Sequence, residues 1–337
     1  MDQQQRQFLI DLQSLYKQAQ KARSVCHCPN CNAKAIFSHV FSRKHILQPF
    51  CPQSKIYLFE PRELISIAED DMLHYYYRGL KDAFGFHGFC SEHDNKLFAE
   101  IEPSTGFVDW HVIRNQYLLS YRNVCRELYA NRTIHDVLKH QLLYSVSNYP
   151  NYHLNIWLTL TQIDNSYTNL VHYKGFLEKG IFNNDYSNIS FHCIELPFQL
   201  DLCIAAPICV NDGRGPCFKY DYQEVNIVNV FPYYGKTIIL LGFSPSFDNK
   251  WLNKVLPMFT SPYPHIVSAA LTDILYRAEL NAIGPKTYSK MDKELVDAYY
   301  LTYREQANCF DMELETVQNL LYSPLKDIMP DTWKNLP

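Results

Sequence analysis

Apolar residues recur at helical spacing at the start of the chain: Phe8, Leu12, Leu15, Tyr16, Ala19 and Ala22 lie three or four apart with Gln, Lys and Arg between them, which predicts an amphipathic helix over the first 23 residues. From residue 24 to 110 the rhythm breaks into an irregular stretch rich in Cys, His and aromatic residues. Helical spacing returns from Asp109 to about Ser145 through Val112, Ile113, Tyr117, Leu118, Tyr121, Val124, Cys125 and Leu128, with Arg114, Arg122 and Arg126 between them. One long helix and then a shorter one are expected there. From Leu154 the texture becomes β-branched and aromatic, in runs at Leu154 to Ile163, Ile189 to Pro197, Gln199 to Val210, Val225 to Phe231 and Lys236 to Phe243. Asn211 to Pro216 and Tyr234-Gly235 punctuate these runs as turns, so an antiparallel sheet is expected. After Pro245 helical patterns cover Asp248 to Leu256, His265 to Asn281 and Ser289 to Tyr322, broken by Pro257, Pro262, Pro264 and Pro285. No internal repeat or low-complexity tract interrupts this order.

The chain is long for one average domain at 337 residues, and 47% hydrophobic against 20% charged residues suffices for a large core. The longest apolar runs, Ile204 to Val210 and Ile238 to Phe243, are far shorter than a membrane span, and the N-terminus lacks the pattern of a secretory signal. A soluble, cytoplasmic protein without membrane contact is the expectation. The net charge of −4 provides no global cationic field for nucleic acid, but it conceals a polarised N-terminal region. Residues 1 to 59 carry eight basic residues against Asp2 and Asp11, whereas residues 60 to 110 carry four basic against eleven acidic residues.

Eleven cysteines and thirteen histidines change the picture, because clustered Cys and His in a reducing compartment more often bind metal than form disulfides. Cys28 and Cys31 form a CxxC across a Pro-Asn turn, with Cys26 and His27 as spare ligands beside them. Cys90 and His93 form a second pair just before a predicted helix, where the helix dipole favours a thiolate. Cys28, Cys31, Cys90 and His93 are therefore the expected ligands of a structural Zn²⁺. Cys51, Cys125, Cys193, Cys203, Cys209, Cys217 and Cys309 read as small core hydrophobes.

A CxxC, then Ser38-His39, then a CxxH running into Asp94 and a helix resembles the treble-clef zinc frame of HNH (ββα-metal) endonucleases, over about residues 25 to 102. The resemblance implies a general base at His39, a Mg²⁺ or other divalent cation ligand at Asp94, and a phosphate partner at Arg43, with Lys44 beside it. The family's motif asparagine has no counterpart, since no Asn occurs between His39 and Cys90, and His87 occupies that region. An insertion with Leu64 to Leu80 as a helix would absorb the long separation of the two pairs.

The expected fold class is α+β: an N-terminal helix and treble-clef-like zinc module with an insertion over residues 1–108, a helical connector over 109–150, and an antiparallel sheet with C-terminal helices over 151–337. The first functional expectation is a zinc-stabilised nuclease that hydrolyses phosphodiester bonds of DNA or RNA. In the alternative, zinc only staples the module, His39 hydrogen-bonds within it, Asp94 caps the helix, and the chain binds a protein or nucleic-acid partner or self-associates. Tyr75-Tyr76-Tyr77 cannot all face inward on a helix, so at least one is expected at the surface. A third arrangement, Cys217 as nucleophile with His192 or His172, lies in a loop whose glycines turn geometry already explains.

Overall fold

The fold is that of a computed structural model, which describes residues 3–21, 24–51, 54–59, 75–148, 153–209, 222–306 and 319–329. The first helical rhythm forms α1 (Gln3–Lys21). The Cys/His-rich stretch yields β1 (Ile36–His39), a π-helical turn (Arg43–Leu47), the short α2 (Gln48–Phe50), β2 (Lys55–Phe59), β3 (Tyr76–Gly79), β4 (Gly85–Phe89) and α3 (Ser91–Leu97). Two long helices follow, α4 (Ile113–Asn148) and α5 (His153–Asn183), then the strands β5 (Ser190–Leu196), β6 (Leu202–Cys209), β7 (Val225–Tyr233) and β8 (Lys236–Phe243). The chain continues through α6 (Lys250–Val255), a 3-10 turn (Leu256–Thr260), α7 (Pro264–Arg277), β9 (Asn281–Ile283), α8 (Pro285–Tyr288), α9 (Lys293–Gln306) and α10 (Tyr322–Ile328). This is the α+β class the patterning predicts, with antiparallel sheets and C-terminal helices.

Seven strands form one sheet in the order β3-β2-β9-β6-β7-β8-β5, and every pairing is antiparallel. Side chains alternate between its faces, as pleating requires. Cys203, Ala205, Ile227, Ile238 and Leu240 pack in a core with Tyr117, Tyr121 and Cys125 of α4 and with Tyr173 and Leu177 of α5. On the opposite face Ile204, Val228, Val230, Ile239 and Leu241 pack with Leu252 of α6, Val267, Leu271 and Ile274 of α7 and Leu325 of α10. A sheet covered on both faces explains why Thr237-Ile-Ile-Leu-Leu241 is buried without a break. The strands β2 and β3 lie before residue 108 yet pair into the same sheet as the strands after 151, so the sheet spans the expected boundary.

Three elements differ from the expectation. The run Leu154 to Ile163 is the first part of α5, not a strand. Its β-rich composition yields to a tertiary partner: Ile156 and Leu160, four apart, are buried in a small core with Phe8, Leu12, Val137 and Leu138. The helix expected over His265 to Asn281 stops at Arg277, and Asn281 to Ile283 instead pair with both β2 and β6 as β9. Of the helix expected over Leu64 to Leu80, residues 64–74 lie outside the described residues, while its end is the strand β3. The loop Asp212 to Cys217 and Cys309 also lie outside them.

The two long helices are in tight contact at Gly180, where a β-carbon would sit 2.2 Å from the ring of Tyr117. That ring is fully buried, and its hydroxyl donates to the Ile189 carbonyl at 2.7 Å, so it cannot swing away. Gly180→Ala is therefore expected to destabilise the protein by about 1–3 kcal/mol despite alanine's better helix propensity, read as a lower denaturation midpoint in urea. An unchanged or raised midpoint would show that α5 can shift off α4.

Candidate metal centre

The segment 24–35 folds back on itself around the Pro29-Asn30 turn, in which Asn30 adopts a left-handed φ of 59°. The Cys26 amide donates to the Ala33 carbonyl and Ala35 to Ser24, both at 2.9 Å, and Val25 bridges Lys34. The His27 amide donates to Gly88 in β4 at 2.9 Å, which docks the turn on the strand that ends in Cys90. Cys90 is the N-cap of α3, and the Asp94 amide donates to its carbonyl at 2.9 Å, placing His93 in the first turn beside Cys90. Backbone geometry thus delivers ligands from two distant segments to one point.

Cys26, Cys31, Cys90 and His93 offer ligand atoms that all lie within 4.8 Å of one another. The edges of this group fit zinc. With Zn–S near 2.3 Å and Zn–N near 2.0–2.1 Å, a tetrahedral site separates its sulfurs by about 3.8 Å and sulfur from nitrogen by about 3.6 Å. Cys31 Sγ and Cys90 Sγ are 3.9 Å apart, and His93 Nδ1 lies 3.4 Å from Cys26 Sγ and 3.3 Å from Cys90 Sγ. Three thiols and one imidazole are a soft set suited to a closed, structural Zn²⁺ site. The backbone amide of His93 holds the Cys90 thiol below its ordinary pKa, whereas burial raises that of Cys26, against the lowering effect of the Cys90 and Cys28 amides. A bound cation would deprotonate both.

The ligand set departs from the spacing argument at one position: Cys26, the spare, converges with Cys31, and Cys28 lies outside the group. Cys28 is buried beside Tyr121, and burial pushes its thiol well up. The reason is the hairpin-like fold of 24–35, in which Cys26 sits on a paired arm while Cys28 occupies the turn. His27, the other spare, takes no part: burial, with Lys174 and Arg132 nearby, lowers its pKa to about 4, and its carbonyl accepts from the Tyr121 hydroxyl at 3.1 Å. Cys51, Cys125 and Cys203 are buried as the core role requires, with burial pushing the Cys51 thiol up to about 12, whereas Cys193 is half-buried against the core and Cys209, at the end of β6, is exposed.

β1 and β4 pair antiparallel and lead into α3, a strand-strand-helix unit in which His39 is the last residue of β1. His39 Nε2 lies 3.0 Å from the carbonyl of Lys81. A carbonyl only accepts, so Nε2 carries the hydrogen and Nδ1 is left as an acceptor. Burial lowers the His39 pKa, partly offset by the Lys81 carbonyl, and Arg43 lowers it further. Arg43 is exposed at the start of the π-helical turn. His87 lies on the same face of the strand pair, with the ring of Phe37 between it and His39 at 5.5 and 5.2 Å.

Asp94 has a partner that the spacing did not reveal. Arg122 of α4, only 2% exposed, donates to Asp94 Oδ1 at 3.5 Å and to Glu102 Oε1 at 2.5 Å, and its guanidinium lies 3.9 Å over the ring of Phe98. The signal was there in outline: an arginine set among the apolar residues of a helix buried nearly all round must find carboxylates close by. Among the described residues, His39, Asp94 and Glu102 do not converge as the cysteine group does. His192 stacks on Phe243 and His172 on Tyr222, while Cys217 is outside the described residues.

Compared with known proteins, the chain matches no family model, no curated protein and no solved structure.

Removing the arginine would leave two carboxylates facing each other beside Phe98. Arg122→Met is expected to lower stability by about 2 kcal/mol, below the 3–5 kcal/mol typical of a fully buried pair because Asp94 and Glu102 keep partial solvent access. Denaturant melts of this variant and of Glu102→Gln measure it; a neutral Arg122→Met would remove Arg122 as the anchor.

Proposed function

We propose that residues 25 to 102 form a zinc-stapled, HNH-like nuclease module that hydrolyses phosphodiester bonds of DNA or RNA. The supporting observation is the position of His39 at the end of β1, paired through β4 to a helix that starts with the Cys90 and His93 ligands. In this reading Cys26, Cys31, Cys90 and His93 hold Zn²⁺, whose role is to fix the module. His39 is the general base: Nε2–H is tied to the Lys81 carbonyl, and Nδ1 takes the proton of the attacking water. The water oxygen bonds to phosphorus, the bond from phosphorus to the leaving oxygen breaks, and that oxygen is protonated from solvent. Arg43, exposed near His39, supplies charge to the phosphate.

Mg²⁺ at Asp94 fits less well. Arg122 already engages that carboxylate, and no cage of hard oxygen ligands surrounds it among the described residues. The same observation favours a second reading, a zinc-binding interaction protein without catalysis, in which Asp94 serves only to anchor α3 on α4. No helix among the described residues is long and apolar enough to cross a membrane, and neither reading needs one.

Plasmid and single-stranded substrates, incubated with wild type and His39→Ala under a series of divalent cations, test the proposal. Loss of cleavage by at least about 100-fold in His39→Ala, with zinc content unchanged, is the expected result. The base must be neutral, and the His39 pKa is lowered, so the rate should hold near pH 7 and fall only as acid protonates it, with a midpoint below the ordinary 6.5. No cleavage by the wild type under any cation would overturn the nuclease and leave the second reading.

A further inference from the structure

Beside the zinc ligands a cleft of about 510 Å³ opens between the Pro29-Asn30 turn and α5, a size that suits a small molecule. One wall is that turn together with His93 of α3; the other is the face of α5 that carries Gly175, Lys179 and Phe182 at helical spacing. Gly175 lies inside a 31-residue helix, where glycine is a weaker helix former than alanine. At Gly180 packing requires the glycine, because the Tyr117 ring occupies the place of a side chain. At Gly175 packing does not: a β-carbon there would meet no neighbouring atom within 4 Å. What the missing side chain does provide is room in the cleft.

The polar groups of the cleft are short of acceptors. His93 turns Nδ1 to the sulfurs of Cys26 and Cys90, so with Zn²⁺ on Nδ1 the ring hydrogen sits on Nε2. A metal-bound histidine ordinarily passes that hydrogen to a carboxylate, a carbonyl or water, and no described residue accepts it here. Lys179 is exposed, lies 5.8 Å over the ring of Phe176, and has no ion pair among the described residues. Asp185, which feels its charge, accepts instead from the Ser187 hydroxyl at 2.6 Å. Glu178, the carboxylate in the same wall, is engaged by Lys174 and by the Tyr121 hydroxyl. The apolar part of the wall is Phe182, 47% exposed and without a ring partner among the described residues. Gly175 and Phe182 are two helical turns apart, about 10 Å along the axis. A ligand that satisfies both halves joins an oxyanion to a flat apolar body: a neutral hydrocarbon would leave the two donors without an acceptor, and a cation would meet Lys179.

We infer that this cleft binds a small oxyanion with a planar aromatic body, a nucleoside monophosphate or an aromatic carboxylate, which accepts from His93 Nε2 and Lys179 and lies between Gly175 and Phe182. The site rests on His93 as a zinc ligand and not on His39 as a base.

Isothermal titration calorimetry of the zinc-loaded full chain with adenosine monophosphate and with naphthoate tests it, and the probe that binds identifies the source of the oxyanion. At least one should bind with a dissociation constant below about 1 mM, and adenosine and inorganic phosphate should each bind at least about ten-fold more weakly than the bound probe. Gly175→Leu should fill the cleft and weaken that probe by at least about ten-fold. Its zinc content should match wild type and its unfolding midpoint should be no lower, because the new side chain meets open space and strengthens the helix. Lys179→Met, at an exposed position, should also weaken the probe about ten-fold, and it keeps the test decisive even where Gly175→Leu lowers the midpoint. Since the probe touches a zinc ligand, saturating it should slow the transfer of zinc to a chelator in wild type and not in Gly175→Leu. The site is overturned if neither probe binds at about 10 mM, if Gly175→Leu and Lys179→Met bind the probe as wild type does, if inorganic phosphate binds as tightly as the probe, if saturating probe leaves zinc transfer unchanged, or if the wild type takes up no zinc. The cleft and the nuclease fail separately. Probe binding that depends on Gly175 in a protein that never cleaves keeps the cleft and removes the nuclease, and cleavage that depends on His39 in a protein that binds neither probe does the reverse.

Discussion

Cys26 and Cys31 on one segment and Cys90 and His93 on another bring their ligand atoms within 4.8 Å of one another, and this meeting ties the Pro29-Asn30 turn to the start of α3, beside the β1–β4 pair that carries His39. β1 and β4 form only a two-stranded sheet, which has little stability of its own in water. Two constraints hold it. The ligand cluster joins the turn at Pro29-Asn30 to the start of α3, and the aromatic contacts of Phe41 with Phe84 and Phe231, at 4.9 and 5.5 Å, bind the unit to the large sheet. Between the two ligand pairs the chain leaves to contribute β2 and β3 to that sheet and then returns. The cluster therefore fixes the two ends of an excursion that is itself part of the main fold.

Arg122 is the second anchor, and it belongs to the long helix rather than to the module. Its guanidinium is taken from water, lies over the ring of Phe98, and is neutralised by Glu102 and Asp94, so that α3 and the segment after it are held against α4. A buried cation with two carboxylates costs desolvation and returns fixed geometry. It also sets a competition at Asp94 between an internal cation and any external one. This competition separates the two functional readings.

The sheet was legible because its strands are short apolar runs between turn residues, and β5 to β8 fall within a few residues of the expected runs. α5 was not, because Leu154 to Ile163 has the composition of a strand, and only its partners on α1 and α4 decide for helix. Nor could local patterning show that β2, β3 and β9 join strands far away in the chain, since pairing at long separation leaves no mark in either segment alone. At the site, Cys31, Cys90 and His93 were visible from spacing. The choice between Cys26 and Cys28 was not, because the two are buried alike and lie two residues apart, and only the pairing of Val25 with Lys34 puts Cys26 on an arm of the hairpin and leaves Cys28 in its turn. Arg122 stood out in the sequence only as a charge among apolar neighbours, and its partners Asp94 and Glu102 come from another part of the chain.

Metal analysis of the purified protein with Cys26→Ser and Cys28→Ser tests the central claim most directly. The geometry predicts zinc at one ion per chain in the wild type and in Cys28→Ser, and loss of the ion in Cys26→Ser. Zinc retained by Cys26→Ser but lost from Cys28→Ser would contradict it, and would return the ligand set to the CxxC of Cys28 and Cys31.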